Sequence, residues 1–348
     1  MHTIDRRKIV NFSRRVDCAP FEDWFINRIR KGFAQGINPF TGKPYEVKLT
    51  AKDVKLVILW TKAPGNILRM VDELLSRDMN VAVFSTVNNY DKWLEPFVPE
   101  LEENLAGLES LTRVVGVNAI WWRFDPIVPT NKQDLNWFVD HFGRLSMRMR
   151  GLTSRCITSI VHTEGPAKYR RCVGNINSAG AKVGQRLRLL TREEKLTWVG
   201  ELSEVLYSNL RLPLEVCCHP FIDNEAVHRD QIKKWPEYLL SPDQILISAG
   251  YTHMRTSHCI SSEALTSIGV RGDKRDGSHS LGSKRKGDIR YDLGMCFCRQ
   301  STDIGGTVAC PHGCVYCQWP HISGQGEGSS RISAEPQVDT KSPSLTPL

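Results

Sequence analysis

Long apolar runs are missing from this chain of 348 residues: none approaches the roughly 18 residues that a membrane helix needs. The N-terminus does not resemble a secretory leader. The opening segment MHTIDRRKIVNFSRR is charged and enters an apolar stretch almost at once, so the chain reads as cytoplasmic. No glycine-rich dinucleotide or phosphate-loop fingerprint follows any apolar segment, which weighs against a doubly wound nucleotide-binding sheet. Acidic residues are scarce between Arg144 and Arg192, where eleven Lys and Arg meet a single acid, Glu164. That stretch suits nucleic acid, a phosphorylated substrate or an anionic cofactor, and equally a solvated basic face.

With 41% hydrophobic and 24% charged residues, the composition is that of an ordinary globular protein with enough chain for a large core. The net charge is +8. Short runs rich in Val, Ile and aromatics alternate with amphipathic stretches. Strands are expected at Lys8–Ser13, Leu56–Trp60, Asn80–Thr86, Val114–Arg123, Cys156–Val161 and Leu214–Cys218, with weaker candidates at Ile245–Ser248 and Ser301–Thr307. Helices are expected at Pro20–Gln35, Asn66–Arg77, Glu100–Thr112, Asn131–Arg150 and Thr191–Asn209, the last opened by a capping box from Thr191 to Glu194. Repeated βα units imply a parallel sheet covered by helices, here a complete or partial (β/α) barrel. The expected organisation is a barrel-like body over 1–270, a flexible basic loop over 271–290, a C-terminal strand and cysteine loop over 291–321, and a disordered tail over 322–348.

In parallel α/β proteins, chemistry sits where strands end. Polar residues gather there: Ser13, Arg14, Arg15 and Asp17; Trp60, Thr61 and Lys62; Thr86, Asn88 and Tyr90; Trp122, Arg123 and Asp125; His162; His219. Each has a plain structural reading. Arg14 or Arg15 can pair with Asp17, Arg123 with Asp125, and Trp60 and Trp122 can be core. Their shared rim is the reason to weigh them as a group.

Of eleven cysteines, Cys18, Cys156, Cys172, Cys217, Cys218 and Cys259 are scattered, and five fall between Cys296 and Cys317. Such clustering in a cytoplasmic chain points to metal rather than disulfides. The strongest motif is Cys310-Pro-His-Gly-Cys314-Val-Tyr-Cys317. Spacings of three and two residues let one tight loop give three thiolates to a [4Fe–4S] cluster. Three ligands leave one iron open for the amine and carboxylate of S-adenosylmethionine. The CxxxCxxC pattern with Tyr316 before its last cysteine resembles the radical-SAM signature. Cys296 or Cys298 as a fourth thiolate would give a closed cluster, and a zinc site drawn from these cysteines with His312 or His321 is the other alternative.

The chain also resembles an uncharacterised prokaryotic family catalogued as domain of unknown function eighteen forty-eight. The matching pieces run in order over roughly 8 to 320. They are Ser13-Arg14-Arg15-Val16-Asp17 with Pro20-Phe21, Asn38-Pro39-Phe40, Trp60-Thr61-Lys62-Ala63-Pro64, Leu94-Glu95-Pro96, Trp122-Arg123-Phe124-Asp125-Pro126-Ile127, Cys296-Phe297-Cys298, Ser301-Thr302-Asp303-Ile304-Gly305, and Cys310 to Cys317. The chain departs from the family pattern at Phe297, where a glycine is usual, in its SRRVDCAPF opening, and in the loop Arg271–Arg290. The resemblance implies a C-terminal cysteine cluster like the one radical-SAM enzymes carry near their N-terminus, and implies no reaction.

Together these observations give the expectation of a radical-SAM-type enzyme whose cluster loop is permuted to the C-terminus. Cys310, Cys314 and Cys317 hold the cluster, and Tyr316 lies against the cofactor. Arg14, Arg15, Lys62 and Arg123 meet the carboxylate of S-adenosylmethionine or a substrate anion. Asp125 accepts from ribose hydroxyls or the amine. The reaction expected is reductive cleavage of S-adenosylmethionine and hydrogen abstraction from an unknown substrate, with an electron donor such as ferredoxin or flavodoxin. The rivals are an electron-transfer or structural iron–sulfur protein, with nucleic acid as partner, and a zinc-stabilised binding module. If the permutation holds, the first and last strands pair, and Arg14 or Arg15 lies within about 10 Å of the cysteine sulfurs, roughly one Debye length.

Overall fold

The computed structural model describes residues 7–13, 16–37, 43–163, 167–217, 253–256, 260–270, 301–305, 308, 310–318 and 339–345. In chain order the elements are β1 (Lys8–Phe12), α1 (Glu22–Lys31), β2 (Phe33–Ile37), β3 (Pro44–Lys48), β4 (Val54–Thr61), α2 (Leu68–Leu75), β5 (Val81–Thr86), α3 (Leu101–Val115), β6 (Ile120–Ile127), α4 (Leu135–Arg148), β7 (Arg155–Ile160), α5 (Ala167–Ala181), α6 (Arg192–Leu210), β8 (Leu214–Val216), β9 (Met254–Thr256), α7 (Ser262–Ser267) and β10 (Thr302–Asp303).

Eight strands form one parallel sheet in the order β10-β1-β4-β5-β6-β7-β8-β9, and β2 and β3 make a separate antiparallel hairpin. Every residue of β4 and β5 is buried. That explains their unbroken apolar runs, since a parallel sheet is covered on both faces. One face packs on the helices, with Val57, Leu59, Trp122, Phe138, Phe142 and Leu202 in its core. The other face carries Leu56, Ile58, Phe84, Trp121 and Ile157, closed by Ile260, Ala264, Leu265 and Val270 in and around α7. Among the described residues β9 and β10 do not pair, and the sheet is not seen to close into a barrel.

The two ends of the chain meet. β1 pairs with β10 in parallel, Val10 opposite Thr302 and Asn11 opposite Asp303. Side chains reinforce the seam: Asn11 Nδ2 donates to Ser301 Oγ at 2.6 Å, Ser13 Oγ donates to Asp303 Oδ1 at 3.1 Å, and Trp60 Nε1 donates to Asn11 Oδ1 at 3.0 Å. Gly305 follows directly, and a Cβ at that position would overlap the Ser13 hydroxyl. Gly305→Ala is therefore expected to cost about 1–3 kcal/mol through overpacking, read as a lower denaturant midpoint. An unchanged midpoint would show that the seam yields.

Several expectations need correction. The helix expected to reach Gln35 stops at Lys31, because Gly32 takes φ 76° and turns the chain into the β2–β3 hairpin. The fourth strand does not begin at Val114. Val114 and Val115 complete α3, Gly116 turns the chain at φ 80°, and β6 starts at Ile120. Helix α5 was not anticipated. The strand Met254–Thr256 was not anticipated; the segment 245–248 and the loop 271–290 lie outside the described residues. Within the expected tail, 339–345 packs on α1 and β2: Trp24 Nε1 donates to Ser342 O at 3.0 Å, Gln35 N to Pro343 O at 2.7 Å, and Leu345 is fully buried. No helix among the described residues is long and apolar enough to cross a membrane.

Candidate metal and cofactor site

Strand alternation sets the site. Side chains two residues apart share a face, so Trp60 and Lys62, Arg123 and Asp125, and Ile157 and Ser159 carry one face beyond its apolar layer to the C-terminal rim. There Trp60, Lys62, Arg123, Asp125 and Ser159 line a cavity of about 320 Å³ with Ser13, Asp17, Thr86, His162 and Cys217. The cysteine loop leaves β10 toward the same rim, and Cys310, His312, Cys314, Tyr316 and Cys317 line that cavity. The two ends of the chain and the middle strands thus serve one site.

Backbone contacts hold the loop. Val315 N donates to Leu94 O at 2.9 Å, Phe97 N to His312 O at 3.3 Å, and Cys317 N to Cys314 O at 3.0 Å. Gly313 adopts φ 62°, and an added Cβ would press on the Phe97 ring. Left-handed backbone under an aromatic ring calls for glycine.

Two buried charge pairs flank the loop. Asp17 accepts from Ala19 N at 2.9 Å, from Lys62 N, and from His312 Nε2 at 2.8 Å. His312 Nδ1 faces Phe97 O at 3.1 Å. Both ring nitrogens therefore face acceptors, which only an imidazolium satisfies. Burial opposes that charge, but Asp17 outweighs it, so the His312 pKa is raised and the Asp17 pKa lowered. On the other side, Glu95 Oε1 accepts from Lys62 Nζ at 2.7 Å, from Asn88 Nδ2 at 3.0 Å and from Tyr316 OH. Lys62 Nζ also donates to Tyr316 OH at 2.9 Å. Burial opposes both of these charges as well. Their mutual attraction prevails, leaving Lys62 raised and Glu95 lowered.

The thiols are in the opposite condition. Burial pushes Cys310 up to about 12, even though the backbone N–H groups of Asp17 and His312 favour its thiolate. Burial likewise pushes Cys314 well above its ordinary value against the help of Lys62. Buried thiols become thiolates when a cation takes the proton's place, and soft sulfur donors suit iron and zinc. Among the described residues, no three His, Cys, Asp or Glu side chains converge on one point as a single ion requires. A cubane makes no such demand, because each of its thiolates binds a different iron. Three loop thiols at one cavity wall, Cys310, Cys314 and Cys317, are a donor set that a cluster or, with a further ligand, zinc would take.

The structure distributes the expected residues as follows. Arg123 pairs with Asp125 and lies over the Trp60 ring at 5.1 Å, while Asp125 also accepts from Ser159 Oγ. The plain ion-pair reading of these two is thus present, in the cavity wall. Trp122 is core. Lys62, expected to meet a ligand carboxylate, is engaged by Glu95 and Tyr316. Arg14, Arg15, Cys218, His219, Cys296, Cys298 and His321 lie outside the described residues. Glu95 was named only within the family-matching piece Leu94-Glu95-Pro96 and given no role, and Ser159 was not singled out, although it follows from the alternation within β7. Cys172 carried no signal because α5 was not foreseen; its Sγ donates to Cys317 O at 3.2 Å. In the basic stretch, Arg144 pairs with Asp140, Arg148 with Glu102, Arg155 with Glu215 and Arg188 with Glu194. These acids come from outside the stretch or, for Glu194, from just beyond it.

A family model described as Domain of unknown function (DUF1848) matches residues 9–318. No curated protein matches the chain.

Proposed function

The chain belongs to that family, and for it we propose the function of an iron–sulfur enzyme of radical-SAM type. The observation that carries this reading is the shared cavity: a CxxxCxxC loop, delivered by a strand paired to β1, opens onto the rim where the polar strand ends gather. In this reading the sheet is a partial (β/α) barrel whose cluster loop is permuted to its last strand. Cys310, Cys314 and Cys317 hold a [4Fe–4S] cluster, which together with S-adenosylmethionine supplies one-electron chemistry for hydrogen abstraction.

The chain's own residues do the rest. His312 and Lys62 place positive charge on either side of the loop and offset the thiolate charge. Arg123 and Asp125, held as a pair with Ser159, present a donor fork and an acceptor to the cavity, suited to a carboxylate and to amine or hydroxyl groups. Arg14 and Arg15, expected to meet the same anions, lie outside the described residues. Trp60 and Tyr316 give apolar walls that exclude water from the reacting region.

Anaerobic reconstitution followed by electron paramagnetic resonance tests the reading. A reduced cluster signal that changes on adding S-adenosylmethionine is the expected result. A cluster signal indifferent to S-adenosylmethionine would replace it with a closed, electron-transfer or structural site.

A further inference from the structure

Lys62 and Glu95 lie 33 positions apart, at the end of β4 and in the segment before α3, yet they form one unit with the cysteine loop. Their side chains are 14% and 2% exposed, so the pair sits out of water beside the thiols. Of the donors on Lys62, one meets Glu95 and another the Tyr316 hydroxyl, and the ammonium stands 5.5 Å from the Tyr316 ring centre. Glu95 gathers Lys62, Asn88 and Tyr316 on one oxygen. Its neighbour Leu94 takes the Val315 N–H, and Phe97 exchanges contacts with His312.

Holding Tyr316 in place needs only hydrogen bonds, which neutral groups can supply. A buried ion pair costs desolvation that a neutral or apolar pair avoids. What a charged pair adds is a field, and both charges bond to the hydroxyl of Tyr316, which stands in the loop directly before Cys317 and two residues after Cys314, so that field lies beside the thiols. The potential of a cluster follows its electrostatic surroundings. A nearby cation stabilises the electron-rich state and a nearby anion the oxidised one.

We propose that Lys62 and Glu95 are positioning residues that hold the cysteine loop through Tyr316 and, as a charge pair of opposed influence, set the reduction potential of the cluster. The inference rests on the cluster reading above. It removes Lys62 from the groups that bind a ligand carboxylate and leaves that task to Arg123.

The test compares midpoint potentials of reconstituted Lys62→Met and Glu95→Gln with the unchanged protein, using the cluster signal as readout. Lys62→Met is expected to shift the potential downward and Glu95→Gln upward, while Lys62→Arg stays near the starting value. A merely structural role would broaden or diminish the signal in both variants without opposed shifts. Equal potentials, or shifts of the same sign, overturn the proposal. If one single variant takes up no cluster, the other is compared with the unchanged protein: a shift of the sign expected for it supports the proposal, and an unchanged potential overturns it. Failure of the unchanged protein to bind iron is a separate outcome, and it removes the cluster reading itself.

Discussion

Anaerobically reconstituted protein is expected to hold about four iron and four sulfide per chain, as a [4Fe–4S] cluster requires, and to lose nearly all of both when Cys310, Cys314 or Cys317 is replaced by alanine. The size of the effect follows from the geometry. One short loop brings three thiols to the cavity wall, and each would bind its own iron, so removing one leaves two. Cys172 and Cys217 also line the cavity, yet they come from α5 and from the end of β8, not from the loop. Cys172→Ala and Cys217→Ala are therefore expected to keep the cluster and serve as controls for a general loss of buried cysteine. The double variant Cys296→Ala with Cys298→Ala is expected to keep a cluster that still responds to S-adenosylmethionine. Iron and sulfide analysis beside absorption spectra reads all of these. Full zinc occupancy without iron after anaerobic reconstitution would defeat the cluster reading, and loss of the cluster in the Cys296 and Cys298 variant would establish a closed site.

Breaking the Arg155–Glu215 pair is expected to cost about 3–5 kcal/mol of stability, because it leaves a buried charge without its partner. Arg155 on β7 places its guanidinium fork on the Glu215 carboxylate of β8, Nε to Oε1 at 2.8 Å and Nη2 to Oε2 at 2.5 Å. Both side chains are less than a tenth exposed, and the guanidinium lies over the Trp121 ring at 5.1 Å. Arg155→Met should therefore show a large drop in denaturant midpoint. The double variant Arg155→Met with Glu215→Leu should recover most of it, since an apolar pair of similar volume avoids the desolvation penalty. The pair is not part of the cavity wall, so the folded fraction of either variant should still bind iron. A loss below about 1 kcal/mol in the single variant, typical of solvated pairs, would show that water reaches it.

This pair and the Lys62–Glu95 pair share one chemistry in two settings. Arg155 and Glu215 join adjacent strands beneath the site, where a neutral replacement can serve. Lys62 and Glu95 stand beside thiolates, where a neutral replacement changes the field as well as the packing. Stability measurements govern the first pair and a potential governs the second.

The sequence by itself determined the features that depend on near neighbours. The apolar runs at Leu56–Trp60 and Asn80–Thr86 became central strands because side chains on both faces of a parallel strand must leave water. The Thr191–Glu194 capping box formed as its spacing dictates, both reciprocal bonds being present at the start of α6. The cysteine spacing placed three thiols on one loop without help from the rest of the chain. Where local signals competed, sequence reasoning went astray. Val114 and Val115 favour a strand but finish a helix, and the aromatic face of α1 concealed the stop at Gly32.

Only the tertiary structure decided which residues face one another. Asp17 is 295 positions from His312, and Lys62 is 254 from Tyr316. No periodicity connects such pairs. They meet because β1 accepts β10 at its edge and parallel strands send all their C-terminal ends to one rim. That pairing turned the motifs at the two ends of the chain into one cavity. Within the cavity, the described cations lie paired with carboxylates, and the cysteines of the loop stand at the wall beside them.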